Sequence, residues 1–363
     1  MLKIVGLSSD RGACSSYRLI QPLEKLNHLQ LAQAKVMNGL EPDVGDNVDA
    51  SDIVCFGRAA SGKILGMIDK LHSMGKKVVF DLDDNLFNIS PFSQHYQNLG
   101  IIPYNLETDD GESVMMWKDG INGFDIRNNR NFLKFFVQVL RIADGVTVTT
   151  EPLRNLYSNF NKNTIIVPNS TDMKIWKTKK IPRNDGKVKI LYTGAANHYE
   201  DIMFMMPVLE QIQKDFNNVI FSFVGNDWKT VKNKLDYNRI EVSPWVSFEA
   251  YPYLLKSLNC DIGLAPVAES FFSDCRSAIK WYEYSALGIP TIATNFGPYK
   301  REMNNQNAFL VGNVEKEWYQ GLSALIKYPG VRQSAAENGY KEVVDNHNLD
   351  YVAEDWIETF KEI

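Results

Sequence analysis

The sequence predicts an α/β protein made of two Rossmann-like domains. Three observations carry that prediction. Short Val/Ile-rich runs recur along the chain, and they are continuously apolar rather than alternating, the pattern of strands buried on both faces. Helix-length amphipathic stretches separate them, which implies βαβ units and parallel sheets. The runs form two series on either side of a polar, basic stretch at 170–187, and 363 residues suffice for about two domains of ordinary size.

The first series reads as strands at 2–7, 52–57, 77–82, 145–150 and 164–169. The second reads as strands at 187–194, 219–225, 260–266 and 290–294. The expected division is an N-terminal domain at 1–170, a C-terminal domain at 171–345 and a tail at 346–363. In the tail, Val352, Trp356 and Phe360 recur at helical spacing, so a helix should dock by that face, back on the N-terminal domain. Residues 88–130 lack a sustained period and hold Tyr96, Tyr104, Trp117 and Phe124 among many Asn and Asp. They read as an irregular insertion, either a functional loop or an extension anchored by its aromatics.

Composition narrows the function. A net charge of -5 disfavours a nucleic-acid binder. The four cysteines, at 14, 55, 260 and 275, form no CxxC pair, so neither a zinc site nor a disulfide framework is expected. The N-terminus is too short in apolar residues for a signal peptide, and no stretch approaches the roughly 18 to 20 apolar residues of a membrane span. A cytoplasmic protein is expected, and a periplasmic sugar-binding protein, which also has two α/β lobes, is disfavoured.

Candidate site residues cluster where strands end, the place where open parallel sheets bind ligands. After Ala265–Pro266 a helix should begin near Ser277 and stop before Gly288, with Arg276, Ser277 and Lys280 in its first turns. Helix N–H groups and the Lys280 charge together suit a diphosphate. Lys280 and Glu283, three apart, share a helix face. A surface ion pair is the plainer alternative, but the neighbouring Trp281, Tyr282 and Tyr284 argue for a partly buried helix. In YTGAANHYEDI (192–202), Gly194, Ala195 and Ala196 allow close backbone approach, His198 can donate to a phosphate oxygen, and Asp201 reads as a helix cap.

The N-terminal half offers a second set. Gly12 and Ala13 follow the first strand, without the GxGxxG of a nicotinamide-binding loop, and Tyr17 and Arg18 open the next helix. Asp81, Asp83 and Asp84 crowd one strand end, where their repulsion suggests a site: a metal-binding DxD or, preferably, hydroxyl binding. Asp84 could equally form an Asx turn with Asn85. Thr150 and Glu151 end another strand. In SPWVSFEAYPYLL (243–255), Trp245 either stacks on a base or packs in the core.

These stretches, with SDCRSAIKWYEYSALGIPTIAT (273–294), VVFDLDDNLF (78–87), ADGVTVTTEPL (143–153), IIVPNSTD (165–172) and FSFVGN (221–226), resemble in order and spacing the retaining glycosyltransferases of the GT-B fold, group 1 type, including those of bacterial surface polysaccharides. The resemblance spans most of the chain outside 88–130. It implies an enzyme that moves a sugar from a UDP- or GDP-sugar to an acceptor hydroxyl with retention of configuration, without a permanently bound cofactor or a required divalent metal. It implies donor contacts at Gly12, Ala13, Gly194, Ala195, Gly225, Trp245, Val246, Arg276, Ser277, Lys280 and Glu283, with Glu283 accepting from ribose. Asp83, Asp84, His198 and Lys280 are the expected catalytic groups, and Tyr17, Arg18, Asp81, Thr150 and Glu151 face the acceptor, which is a glycan, a lipid-linked sugar or a nucleic-acid base. One departure stands out: many relatives carry two glutamates eight positions apart, and here the first position is Cys275. A thiol accepts hydrogen bonds poorly, so sugar recognition must differ, or the chain is a catalytically silent binding subunit. Transfer to hydroxymethylated bases of viral DNA is the other alternative.

Overall fold

The computed structural model describes the chain except residues 9–10, 59, 94, 108–110, 178–180, 182, 195–197 and 226–228, and the side chains of 229, 230 and 232. Its strands are β1 Lys3–Leu7, β2 Gln33–Met37, β3 Ile53–Gly57, β4 Lys77–Leu82, β5 Tyr104–Glu107, β6 Ser113–Trp117, β7 Gly145–Val148, β8 Thr164–Ile166, β9 Val188–Gly194, β10 Val219–Gly225, β11 Ile240–Pro244, β12 Ile262–Ala265, β13 Thr291–Thr294 and β14 Phe309–Val311. They form two six-stranded sheets and one two-stranded sheet. The chain divides into two compact units. The first is Met1–Asp10, Arg18–Val167 and Asp355–Ile363; the second is Arg11–Tyr17 and Pro168–Glu354.

The first unit holds the order β2-β1-β3-β4-β7-β8, parallel throughout. Its central strands are apolar on both faces, and Val54, Val78, Val79, Phe80, Val146 and Val148 are fully enclosed. Removing such side chains from water is the main source of stability here, at roughly 1.5–3 kcal/mol for each large one. The insertion is not irregular throughout. It holds the antiparallel hairpin β5–β6 and a cluster in which Tyr96, Trp117 and Phe124 lie 5.6–5.8 Å apart. Trp117 also donates its indole N–H to the Pro91 carbonyl at 2.7 Å. The aromatics therefore anchor the insertion.

The second unit holds the order β11-β10-β9-β12-β13-β14, again parallel. Counted within the unit this is 3-2-1-4-5-6, so the strand order reverses between β9 and β12. The crevice outside the carboxyl ends of those two strands is where such sheets bind ligands. One face of the sheet packs around Ile190, Phe221, Leu264 and Trp318, the other around Leu191, Val224, Trp281 and Tyr284.

Strands β2, β11 and β14 are absent from the sequence-based set, and all three are sheet edges. Gln33–Met37 alternates exposed and half-buried residues up to the buried Met37, and Ile240–Pro244 and Phe309–Val311 contain no fully buried residue. An edge strand lacks the continuous apolar run that marks a central one. The tail forms the helix Leu349–Glu362, with Val352, Trp356 and Phe360 all buried.

Candidate functional site

The switch point of the second sheet carries a compact polar cluster. β9 ends at Gly194, and the helix Tyr199–Asp215 follows with His198 at its start and Asp201 in its first turn. From the other side of the crevice, the chain after β12 brings the Ala268 N–H to Asp201 Oδ1 at 2.7 Å. Arg276, at the end of the short helix Phe271–Cys275, reaches Asp201 Oδ2 at 3.2 Å and lies over the Phe272 ring. Lys280, in the helix Ile279–Ala286, places Nζ 2.9 Å from His198 Nε2.

The chemistry of these partners fixes the histidine. A lysine ammonium only donates, so Nε2 accepts, and the ring proton sits on Nδ1 and goes to Asp201 Oδ2 at 2.6 Å. Burial, with the positive charges of Lys280 and Arg276, pushes the His198 pKa down to about 3 despite Asp201, so the ring is neutral. Burial alone would raise Asp201, but the His198 hydrogen bond, the Arg276 charge and the Ala268 N–H outweigh it and hold the carboxyl at about 2. Lys280 is lowered, chiefly by burial. His198, expected to donate to phosphate, thus has both ring nitrogens engaged. Asp201 is not a helix cap; it is the anion that ties the cluster together.

Glu283 lies one turn further along the Lys280 helix and is 5% exposed. It accepts from the Tyr17 hydroxyl at 2.7 Å and from the Tyr251 hydroxyl at 3.2 Å. Burial raises its pKa, against the pull of Tyr17, Lys280 and Tyr251. Tyr17, expected among the acceptor-side residues, belongs to the second unit, where its hydroxyl meets Glu283. The helix itself begins at Ile279, two residues later than expected. Its N-terminus is partly taken, because the Ala278 N–H bonds the Glu302 carboxylate, which also accepts from Tyr282. Ser277 Oγ accepts from Asn169 at 2.8 Å.

Beside the cluster, Gly194 and Gly225 pair across β9 and β10. Gly225 has φ +119°, and a Cβ there would stand 2.3 Å from the Gly194 carbonyl oxygen and 3.4 Å from the Trp245 ring. Only glycine fits that backbone. Trp245 is 52% exposed, so it is not a core residue, and Val246 is half-buried. Ala195 lies outside the described residues. Gly12 and Ala13 are exposed at the start of the short helix Ala13–Ser15, in the second unit. Cys275 is fully buried, and the adjacent Asp274 pairs with Arg301.

The first unit treats its charges differently. Arg18 and Asp81 are 3% and 4% exposed. The guanidinium bonds both Asp81 oxygens at 2.7–3.2 Å and the Val167 carbonyl at 2.7 Å, and it stacks over Trp356. Thr147 donates to Asp81 at 2.7 Å. This closed pair serves the interior of the unit, and the acceptor-side role expected of Arg18 and Asp81 does not fit it. Arg58 binds both Asp83 and Asp84, so the crowded carboxylates repel less than their sequence implies. Thr150 is buried, whereas Glu151 is exposed and pairs with Arg154. Sequence reasoning missed Tyr251, Arg58 and Glu302. Tyr251 falls inside the 243–255 stretch, but nothing local distinguishes it.

Two units of this topology define the GT-B class of folds, and solved structures agree. HepE from Anabaena, crystallised with UDP and glucose, is 14% identical over 100% of each chain, with a TM-score of 0.68. Sucrose-phosphate synthase from Thermosynechococcus elongatus is 13% identical over 100% of this chain and 99% of its own, with a TM-score of 0.67. A TarM variant of S. aureus, crystallised with fondaparinux, α-GlcNAc-glycerol and UDP, is 13% identical over 85% of this chain and 55% of its own, with a TM-score of 0.59. No curated protein matches the chain by sequence. Residues 187–328 match the family model described as glycosyl transferases group 1. That matched segment lies within the second unit. Among the described residues, no helix is long and apolar enough to cross a membrane.

Proposed function

We propose that the enzyme transfers a sugar from a nucleoside-diphosphate donor to an acceptor hydroxyl with retention at the anomeric carbon. The observation that carries this reading is the gathering of Arg276, Lys280 and His198 at the switch point of the second sheet. Arg276 and Lys280 converge on one strongly ionised carboxylate, Asp201, and a neutral histidine, while Glu283 is turned to the Tyr17 and Tyr251 hydroxyls. Two cations held side by side can take an anion, and a diphosphate is the anion that the donors of this class release. HepE, a structural neighbour, is crystallised with UDP-glucose, which favours a uridine donor.

In this reading Arg276 and Lys280 take the charge that develops on the leaving diphosphate, an electrostatic effect that is commonly the largest part of a rate enhancement. His198 and Asp201 hold Lys280 and Arg276 in place. Glu283 accepts from the ribose hydroxyls, and Trp245 stacks on the base. No side chain of the cluster is set up as a nucleophile, so retention follows if the leaving phosphate itself takes the acceptor proton on the same face. Thr150 and Glu151 keep their acceptor-side place and Asp83 and Asp84 their catalytic one, binding the acceptor hydroxyl, with a glycan or lipid-linked acceptor favoured by the net charge of -5. A thermal-shift panel with UDP, GDP, ADP and dTDP tests the donor half. One of them should stabilise the protein by about 2.7 kcal/mol at 100 times its Kd, and no response to any overturns the reading.

A further inference from the structure

Glu283 is held by two phenols from distant parts of the chain. Tyr17 lies 266 positions before it and donates to Oε1; Tyr251 heads the helix Tyr251–Leu258 and donates to Oε2. Each ring is itself fixed by an aromatic edge contact, Tyr17 with Phe248 at 4.9 Å and Tyr251 with Trp176 at 5.7 Å. The hydroxyl positions are therefore set before any ligand arrives. A carboxylate has about four acceptor directions, two on each oxygen. Among the described residues these phenols are its two donors, one per oxygen, so one direction per oxygen is left. That remainder matches a vicinal diol, which offers two O–H donors side by side.

We propose that Tyr17 and Tyr251 are positioning residues for Glu283: their hydroxyls keep its carboxylate ionised and turned so that each oxygen can accept one hydroxyl of the donor's ribose. The proposal rests on the reading of Glu283 as the ribose acceptor. The charged and titratable groups that face Glu283 are Lys280 on its own helix and Tyr17 and Tyr251 from other segments, with Tyr284 and Tyr299 further away. Burial opposes ionisation, and the phenols and Lys280 favour it. Loss of either phenol O–H should therefore move the Glu283 titration upward. Nucleotide affinity, which needs the ionised form, should then be lost at higher pH than in the wild type.

The test compares wild type, Tyr17→Phe, Tyr251→Phe and Glu283→Gln, all of which keep side-chain volume. Infrared titration of the ligand-free protein follows the carboxyl band that disappears in Glu283→Gln. Calorimetry follows UDP affinity from pH 5.5 to 9. The expected result is a band midpoint about one pH unit higher in each Phe variant, with UDP affinity at pH 7 reduced about tenfold and partly restored as the pH rises. A midpoint unchanged in both Phe variants, with Glu283→Gln still weakening UDP binding, overturns the positioning role and leaves the ribose reading standing. A shifted midpoint with wild-type UDP affinity in Glu283→Gln overturns the ribose reading, and the proposal with it.

Discussion

The two units place charge at the carboxyl ends of similar parallel sheets and do opposite things with it. In the first, Arg18 and Asp81 form a closed pair, supplemented by Thr147 and the Val167 carbonyl. In the second, Arg276 and Lys280 crowd around a single strongly ionised carboxylate and a histidine kept neutral. The first arrangement answers its own electrostatics and is structural. The second gathers two cations, a neutral histidine and one low-pKa carboxylate at a switch point, a grouping that suits a bound anion.

The comparison breaks most sharply at the closed pair. Asp81→Ala strands a buried guanidinium, and denaturant melts should show about 3–5 kcal/mol lost; a change below 1 kcal/mol would mean the pair is not enclosed in solution. The opposite is expected of Lys280→Met. Because burial lowers the Lys280 pKa in the folded state, the ammonium disfavours folding at pH 7, and its removal should leave the melting temperature unchanged or raised. The same change should weaken UDP binding about 100-fold, the loss of one charged hydrogen-bond donor at roughly 2–3 kcal/mol. Equal behaviour of the two variants in both assays would erase the distinction between the units.

Smaller effects sharpen the picture of the second unit. Gly225→Ala forces a Cβ against the Gly194 carbonyl at a positive φ; about 2 kcal/mol of stability should go, with the UDP contact disturbed alongside. Trp245→Ala removes an exposed ring, so stability should stay within about 0.5 kcal/mol while UDP affinity drops about tenfold through lost base stacking. A Trp245 variant that melts early but binds normally would make the residue a packing element.

Residues close in sequence were the legible part of the site. Lys280 and Glu283 share a face by helical spacing alone, and Gly194 announced a turn at a strand end. What stayed illegible were partnerships across long separations: Tyr17 with Glu283, Arg58 with Asp83 and Asp84, and Ala268 with Asp201. Each depends on where a remote segment returns, and no local pattern encodes that. The same limit explains Arg18 and Asp81, which read as site residues because unpaired charges near a strand end look functional until their partners are known.

By itself the sequence determined the central strands and their division into two series, because a strand buried on both faces must be apolar throughout, and that pattern is written residue by residue. Only the tertiary structure decided three of the four edge strands (β2, β11 and β14), the proton position on His198 and which charges are paired. Those are set by neighbours brought together from far along the chain, and by the water that their packing excludes.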